Sequence, residues 1–272
     1  MHEISRHSTQ ATAHDVEMTE ESEQLLSLPL PLKQFCGIKV LSEVDFDGGS
    51  VQMLTDLRRR IAQIDDHDLI RVEAEADTNE LGLTLYTKVL EHSNAMTSGI
   101  GASAANQVLK AISVAKRSWQ ERFTHTDLVF RTQLIETNTR EGERTTVQAH
   151  LFPINRMLIP AMTIIANLKI MYVSHETKTN RLGCAIEFRI QEDGYAMTAG
   201  IGEGAANQVM KAISVVRYYF QKNSDGQSDI VCMARMDSEI FTQGKLSVTR
   251  VLFIPIPSIL IPPLPTKFTP TP

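Results

Sequence analysis

Apolar and polar residues follow one pattern that occurs twice along this chain. The segments 81–90 and 182–190, LGLTLYTKVL and LGCAIEFRI, alternate apolar and polar residues, which is typical of a half-buried strand. The segments 69–76 and 168–175 precede them, and we expect these to be strands that pair with them as hairpins. Two further strand pairs are predicted downstream, at 127–136 with 144–152 and at 229–236 with 245–254. The pattern therefore predicts two similar units.

One longer segment in each unit has the period of an amphipathic helix, at about 103–121 and about 204–222. The apolar stripe consists of Ala104, Val108, Ala111, Ile112 and Ala115, and of Ala205, Val209, Ala212, Ile213 and Val216. Its small alanines imply close packing on a sheet. The opposite face carries Asn106, Lys110, Ser113 and Arg117, and in the second helix Asn207, Lys211 and Ser214, with Arg217 slightly off the line and Gln107 and Gln208 flanking.

The strand and turn before each helix belong to a phrase that is almost the same in both units. Residues 95–114 read AMTSGIGASAANQVLKAISV, and residues 196–215 read AMTAGIGEGAANQVMKAISV, so that sixteen of twenty positions are identical. The rest of the repeat has drifted widely. We interpret the phrase as carrying the function, although a recent duplication would also leave the two copies alike.

The glycines of the phrase form a turn between strand and helix. Gly99 and Gly101, with Gly200 and Gly202, let the backbone turn sharply and approach a neighbour closely. The helix N-terminus behind them suits an anion, but the glycines could equally serve only the turn and the packing. The phrase is neither a Walker loop nor a complete G-x-G-x-x-G, and Glu203 would repel a phosphate, so a nucleotide-binding enzyme is disfavoured.

The ends of the predicted helices combine basic and aromatic side chains. The basic residues are Lys110, Lys116, Arg117 and Arg122, and in the second copy Lys211, Arg217 and Lys222. The aromatic residues are Trp119, Tyr218, Tyr219 and Phe220. Such a combination can hold a phosphate backbone and stack a base, although aromatic residues in a last helical turn more often belong to a core. A second basic spot, 58–60, lies in an amphipathic segment at 51–64 that only the first unit has.

Composition narrows the function classes. The 272 residues carry a net charge of −5, which disfavours bulk coating of nucleic acid and leaves a local binding patch. The three cysteines lie far apart and the eight histidines have no metal-ligand spacing, which predicts no metal and no cofactor. No carboxylate pair or nucleophile–base pair recurs in both units, so we expect no enzyme. The sequence has no membrane-spanning run and no secretory signal, and we expect a cytoplasmic, nuclear or nucleoid protein.

The repeated phrase resembles the helix-opening motif of the stage V sporulation protein S family. The matching residues are Ile100, Gly101, Ala102, Ala104, Asn106, Gln107, Lys110, Ala111, Ile112, Ala115 and Lys116, and in the second copy Ile201, Gly202, Ala205, Asn207, Gln208, Lys211, Ala212, Ile213 and Arg217. The resemblance implies the Alba fold, a small α/β domain that forms dimers and, in Alba proteins, binds DNA or RNA. That family has a helix between its first strand and its glycine strand, where the alternation here predicts a strand.

These observations predict an α/β protein of two tandem Alba-like units that form a pseudo-dimer. We expect an acidic disordered tail at 1–33, units at 34–155 and 156–256, and a tail at 257–272, since residues 255–272 carry seven prolines and should not pair as a central strand. The expected function is non-enzymatic binding of RNA or DNA, with RNA or single strands favoured. The predicted binding residues are Gly99, Gly101, Asn106, Gln107, Lys110, Lys116, Arg117, Gly200, Gly202, Asn207, Gln208, Lys211 and Arg217. The alternative is a structural or assembly protein whose repeated faces and tails bind protein partners or self-associate.

Overall fold

A computed structural model describes residues 69–139, 142–241 and 244–262. The predictions for the acidic tail, the amphipathic segment at 51–64 and the proline-rich residues beyond 262 lie outside these ranges. The first unit contains β1 (Leu69–Val72), α1 (Thr78–His92), β2 (Ala95–Ile100), α2 (Gly101–Arg122), β3 (Thr126–Thr139) and β4 (Gly142–Asn155). A short helix α3 (Met162–Asn167) leads to the second unit, which contains β5 (Ile170–Val173), α4 (Thr179–Asp193), β6 (Ala196–Gly200), α5 (Gly202–Asn223), β7 (Ser228–Phe241) and β8 (Gly244–Pro257).

The strands of both units form one mixed sheet in the order β1-β2-β4-β3-β7-β8-β6-β5. The units join where β3 pairs with β7, through Phe130 and Cys232. These two residues occupy equivalent positions, because Phe130 also lies opposite Leu151 of β4 and Cys232 lies opposite Phe253 of β8. A pseudo-two-fold axis therefore passes between them, and the prediction of two tandem α/β units forming a pseudo-dimer is confirmed.

The two main helices are confirmed at α2 and α5, but the strands predicted at 81–90 and 182–190 are wrong. Both segments lie in helices, α1 and α4. Leu81, Leu85 and Val89 are buried and recur every four residues along α1, so they form a helical face. Leu81 and Leu85 fit both periods, whereas Leu83, which is exposed in the helix, fits only the strand alternation. The N-cap residue Asp77, which accepts hydrogen bonds from the backbone N–H groups of Asn79 and Glu80, marks the helix start.

This correction also changes the pairing of the first strand of each unit. β1 pairs in parallel with β2, with Leu69 opposite Met96, and β5 pairs in parallel with β6, with Ile170 opposite Met197. The predicted hairpins are therefore wrong. A parallel pair needs a crossover connection, and α1 and α4 supply it.

One glycine in each of α1 and α4, Gly82 and Gly183, is repeated because the helix packs closely on its neighbour there. A Cβ on Gly82 would lie 2.6 Å from the Cβ of Val114 on α2, and one on Gly183 would lie 2.6 Å from Cγ1 of Val215 on α5. The helices of each unit therefore cross where only glycine fits.

Both faces of the sheet are covered. The helices bury one face, and the residues after β4 and β8 pack on the other, around Phe152, Ile254 and Ile261. Pro255 and Pro257 belong to β8, where they lie opposite Ile230 and Ser228 of β7. The segment was expected not to pair as a central strand; these two prolines do pair, but with β7 alone. β6 ends opposite Thr249–Phe253 of β8, so the prolines lie where β8 has only one neighbouring strand.

Candidate functional site

The structure brings the two glycine turns together at the start of α2 and α5. The two helices pack against each other. The Ser103 hydroxyl of α2 donates a hydrogen bond of 2.5 Å to Oε2 of Glu203 in α5. Because both residues lie in the first turn of their helices, the two helix N-termini lie side by side. The N-cap residues Ile100 and Ile201 provide no side-chain cap, so the first N–H groups of both helices lack one.

The four predicted glycines have two different roles. Gly101 and Gly202 have φ angles of 89° and 82°, in the left-handed region, and a Cβ on either would meet open space. Gly99 and Gly200 instead allow close packing, because a Cβ would lie 3.0 Å from Ala104 Cβ and 2.8 Å from Ala205 Cβ respectively. Gly101 and Gly202 therefore shape the exposed turn, whereas Gly99 and Gly200 hold the helix on its strand.

The repeated glutamines hold parts of their own units together. Thr78 Oγ1 donates to Gln107 Oε1 at 2.7 Å, and Gln107 Nε2 donates to the carbonyl oxygen of Ala74 at 3.2 Å. In the second unit, Thr179 Oγ1 donates to Gln208 Oε1, and Gln208 Nε2 donates to the carbonyl oxygen of His175 at 3.3 Å. The glutamine in each copy thus joins the main helix to the loop after the first strand and to the start of the next helix.

Part of the predicted polar face is directed at the protein itself. Asn106 and Ser113 are buried, and Asn207 is half-buried. Ser214 Oγ lies 2.9 Å from Oγ1 of Thr132 on β3 of the other unit. These polar side chains therefore belong to the helix packing and to the contact between the units.

Lys110, Lys211 and Arg117 remain accessible on the main helices. Lys110 and Lys211 are half-exposed, and Arg117 is exposed. Within the described residues, none of the three forms an ion pair. These cations are the predicted binding residues whose charge is open to a ligand.

Two other predicted cations lie in the core as ion pairs. Lys116 is 3.8 Å from Oδ2 of Asp127, and its side chain is only 13% exposed. Burial is the main cause that lowers the pKa of Lys116, and Asp127 opposes it. Arg217 donates from Nε and Nη2 to the two carboxylate oxygens of Asp229, at 2.8 and 2.7 Å. Its Nη1 donates to the carbonyl oxygen of Thr132 at 2.6 Å.

The partner aspartates of these pairs were missed as candidates. A signal for them existed, because the segments that begin with Asp127 and Asp229 match between the units. Each carboxylate also accepts the N–H of the next residue, Leu128 at 2.8 Å and Ile230 at 2.7 Å. Both aspartates therefore organise a polar centre inside the protein.

The aromatic residues of the last helical turns divide between core and surface. Trp119 is buried, and its Nε1 donates to Oγ1 of Thr126 at 3.1 Å. Phe220 packs against the core. Tyr218 and Tyr219 are exposed, with ring centroids 5.4 Å apart. Of these four aromatic residues, the two tyrosines are the ones that could stack on an external ring.

Neither a metal-ion cluster nor a membrane-spanning helix occurs in the described ranges. In residues 69–139, 142–241 and 244–262, no group of three or more His, Cys, Asp or Glu side chains could hold a metal ion. The helices within these ranges are all too short or too polar to span a membrane.

Comparison with known families agrees with the architecture. The family model of stage V sporulation protein S (SpoVS) matches residues 68–154 and again residues 169–243. No curated protein matches the chain. The two matched segments coincide with the two units of the sheet and together cover more than half of the chain. With its strand–helix–glycine strand–helix order present in both halves, the chain belongs to the SpoVS family and contains two copies of that Alba-like domain.

Proposed function

We propose that this protein is a non-enzymatic nucleic-acid-binding protein that uses the surface where α2 and α5 begin. The observation that carries the proposal is the adjacency of two glycine turns, each at the uncapped N-terminus of a long helix. Backbone N–H groups and the positive end of a helix dipole favour phosphate oxygens. Two such turns side by side offer two phosphate contacts to one strand.

The proposed contacts come from the accessible part of the predicted residue set. Gly101 and Gly202 present backbone N–H groups, and Lys110 and Lys211 add one positive charge in each copy. Arg117 extends the positive surface along α2. The remaining predicted residues support this surface from inside: Gly99, Gly200, Asn106, Asn207, Gln107, Gln208, Lys116 and Arg217. So few cations on a protein of net charge −5 should bind weakly, and because the salt slope scales with the number of phosphate contacts, the dependence on salt should be modest.

Charge reversal tests this surface. The double variant Lys110→Glu/Lys211→Glu should lose affinity for single-stranded RNA, single-stranded DNA and duplex DNA in a fluorescence-anisotropy titration. Loss of two phosphate contacts should make the slope of log affinity against log salt shallower by roughly 1.4 for a single strand. The matched control is Arg122→Glu/Lys222→Glu, which changes the net charge equally at the exposed far ends of the same helices. If both double variants fold and bind alike, the helix starts are not the binding surface.

One observation favours the second candidate, a structural or assembly protein. Glu203 brings a carboxylate to the shared helix starts, where it accepts the Ser103 hydroxyl and repels phosphate. Glu203→Ala introduces the residue that the first copy has at this position, Ala102. Nucleic-acid binding predicts tighter binding by this variant. An assembly function predicts a changed molar mass in light scattering and unchanged nucleic-acid affinity.

A further inference from the structure

A cavity of about 430 Å³ lies at the junction of the two units, away from the helix starts. The first unit contributes Arg131 of β3 to its wall. The second unit contributes Gln221, Asp229 and the segment after β8, with Ser258, Ile261 and Pro262. The volume lies within the range of small-molecule sites in proteins. One wall is polar and charged, and the other is apolar.

Two of the residues that line this cavity, Arg131 and Ser258, each carry a buried hydrogen-bond donor without a partner in the described ranges. The Arg131 residue is only 5% exposed. Its Nη2 donates to the carbonyl oxygen of Pro262 at 2.5 Å and to Nδ1 of His150 at 3.3 Å. Among the described residues, no acceptor is within reach of Arg131 Nε or of Ser258 Oγ. Such groups are rare in folded proteins, because each costs about 1–3 kcal/mol when it is left unpaired.

The same place carries an excess of positive charge. Arg217 occupies both oxygens of Asp229, so the Nη1 of Arg131 comes no closer than 3.5 Å to that carboxylate. Two guanidinium groups thus share one carboxylate. Burial, and then Arg217, lower the pKa of Arg131 to about 9, which Asp229 offsets only in part. His150 adds no charge of either sign, because burial holds its pKa well below the usual value.

The equivalent site around Asp127 has no guanidinium group in the place of Arg131. Met233 follows Cys232 as Arg131 follows Phe130, so an apolar side chain replaces the guanidinium. Gln120 donates to Asp127 at 2.7 Å and completes the partners of that carboxylate. The unpaired donors and the excess charge therefore occur, within the described residues, around Asp229 and not around its equivalent, Asp127.

We propose that this cavity binds a small oxyanion, a carboxylate or a phosphate, which accepts hydrogen bonds from Arg131 Nε and Ser258 Oγ. The anion supplies the negative charge that Asp229 cannot give to two guanidinium groups. The cavity is larger than a bare ion, and Ile261 and Pro262 offer an apolar wall to a short organic part. The site is separate from the proposed nucleic-acid surface and involves none of its accessible cations.

The test uses the full chain with three sodium salts at equal ionic strength: phosphate, butyrate and chloride. Either phosphate or butyrate should raise the melting temperature above its value in chloride, and calorimetry should show one saturable site per chain. The effective salt tells whether the ligand is of the phosphate or the carboxylate class. Arg131→Met, which introduces the residue that the second unit has at the equivalent position, Met233, should abolish the response. Equal melting in all three salts, or an unchanged response of Arg131→Met, would overturn the proposal.

A second variant decides the question if Arg131→Met does not fold. Ser258→Ala removes one donor without any change of charge. It should lower the affinity for the anion that stabilises the wild type roughly fivefold, as expected for one hydrogen bond. Arg156→Ala changes the equivalent residue of the first unit, which does not line the cavity; although it also removes a charge, it should leave the affinity unchanged. Wild-type affinity in Ser258→Ala would contradict the assignment.

Discussion

Each unit has a polar centre around an equivalent buried aspartate, but the side chains that bind this aspartate differ between the units. In the first unit, Asp127 has Lys116 at 3.8 Å and a hydrogen bond from Gln120 at 2.7 Å. In the second unit, Asp229 binds Arg217 through both oxygens. Arg217 also donates a hydrogen bond to the carbonyl oxygen of Thr132 in the first unit. The centre of the first unit thus stays within that unit, whereas the centre of the second joins the two.

This difference shows what a duplication within one chain permits. A homodimer with a two-fold axis must repeat every contact on both sides. Here a change on one side of the axis leaves the other unaffected, so one centre keeps a lysine while the other has an arginine and gains Arg131 from the neighbouring unit. We expect the two units to respond differently to the same substitution.

The largest expected difference concerns the two cations. Arg217→Ala removes both side-chain hydrogen bonds from the buried Asp229 carboxylate, which keeps the Ile230 N–H and Arg131 at 3.5 Å, and it should lower the free energy of unfolding by about 3–5 kcal/mol. Lys116→Ala leaves Asp127 with Gln120 and a backbone N–H, and it should cost about 1 kcal/mol. Urea denaturation of both variants measures the two free energies.

Arg217→Lys is the control for this prediction, because it gives the second unit the residue of the first. Lysine keeps the charge but loses the bidentate geometry and the bond to Thr132. Its stability should lie between those of the wild type and Arg217→Ala. Equal losses for Arg217→Ala and Lys116→Ala would mean that the two centres are energetically the same.

The glycine strands offer a second comparison. A Cβ on Gly200 would lie 2.8 Å from Ala205 Cβ and 3.2 Å from the carbonyl oxygen of Val173, whereas one on Gly99 lies 3.0 Å from Ala104 Cβ and 3.6 Å from the carbonyl oxygen of Val72. We expect Gly200→Ala to cost about 1–3 kcal/mol and Gly99→Ala to cost less, since overpacking rises as contacts shorten. Thermal melts of the two variants test the order.

Gly101→Ala and Gly202→Ala are the matched controls for the packing glycines. Both positions have a left-handed φ and open space for a Cβ. Each variant should lose about 1 kcal/mol from backbone strain alone, equally in the two units. A reversed order of Gly99→Ala and Gly200→Ala would refute the tighter packing of the second unit.

The sequence predicted the elements whose signal is local. The alanine stripe and the glycine turn identified α2 and α5 to within about two residues at each end. The same reasoning failed at α1, because Leu81, Leu83 and Leu85 alternate as in a strand although Leu83 is exposed in the helix, and the cap at Asp77 was not weighed. The resemblance to the family already implied a helix there, and the structure agrees with it.

The site was predictable only in part, because its polar residues find partners far along the chain. The bond between Thr132 and Ser214 joins residues 82 positions apart. A repeated polar residue looks the same in sequence whether it serves a ligand or an internal contact. Internal contacts account for Gln107 and Gln208. Nucleic-acid binding by Lys110 and Lys211 stays a prediction.

The smallest expected effect concerns pH and a buried histidine that the second unit lacks. His150 lies opposite Met96 as Leu252 lies opposite Met197, so His150→Leu makes the first unit like the second. Burial, then Arg131 and Arg217, lower the pKa of His150 well below its usual value. Below about pH 6.5 the unfolded chain therefore binds a proton that the folded protein does not, so the free energy of unfolding decreases as the pH is lowered.

Because of this histidine, the free energy of unfolding should decrease by about 1 kcal/mol as the pH falls from 6.5 to 5.5, and it should change almost not at all above pH 7.5. His150→Leu should flatten that part of the pH profile. Arg131 loses one acceptor in the variant but keeps the carbonyl oxygen of Pro262. Urea denaturation of both proteins at half-unit pH steps gives the comparison, in which the carboxylates contribute equally to the two curves. Parallel profiles would show that His150 is protonated inside the fold, and the asymmetry between the units would then not extend to pH.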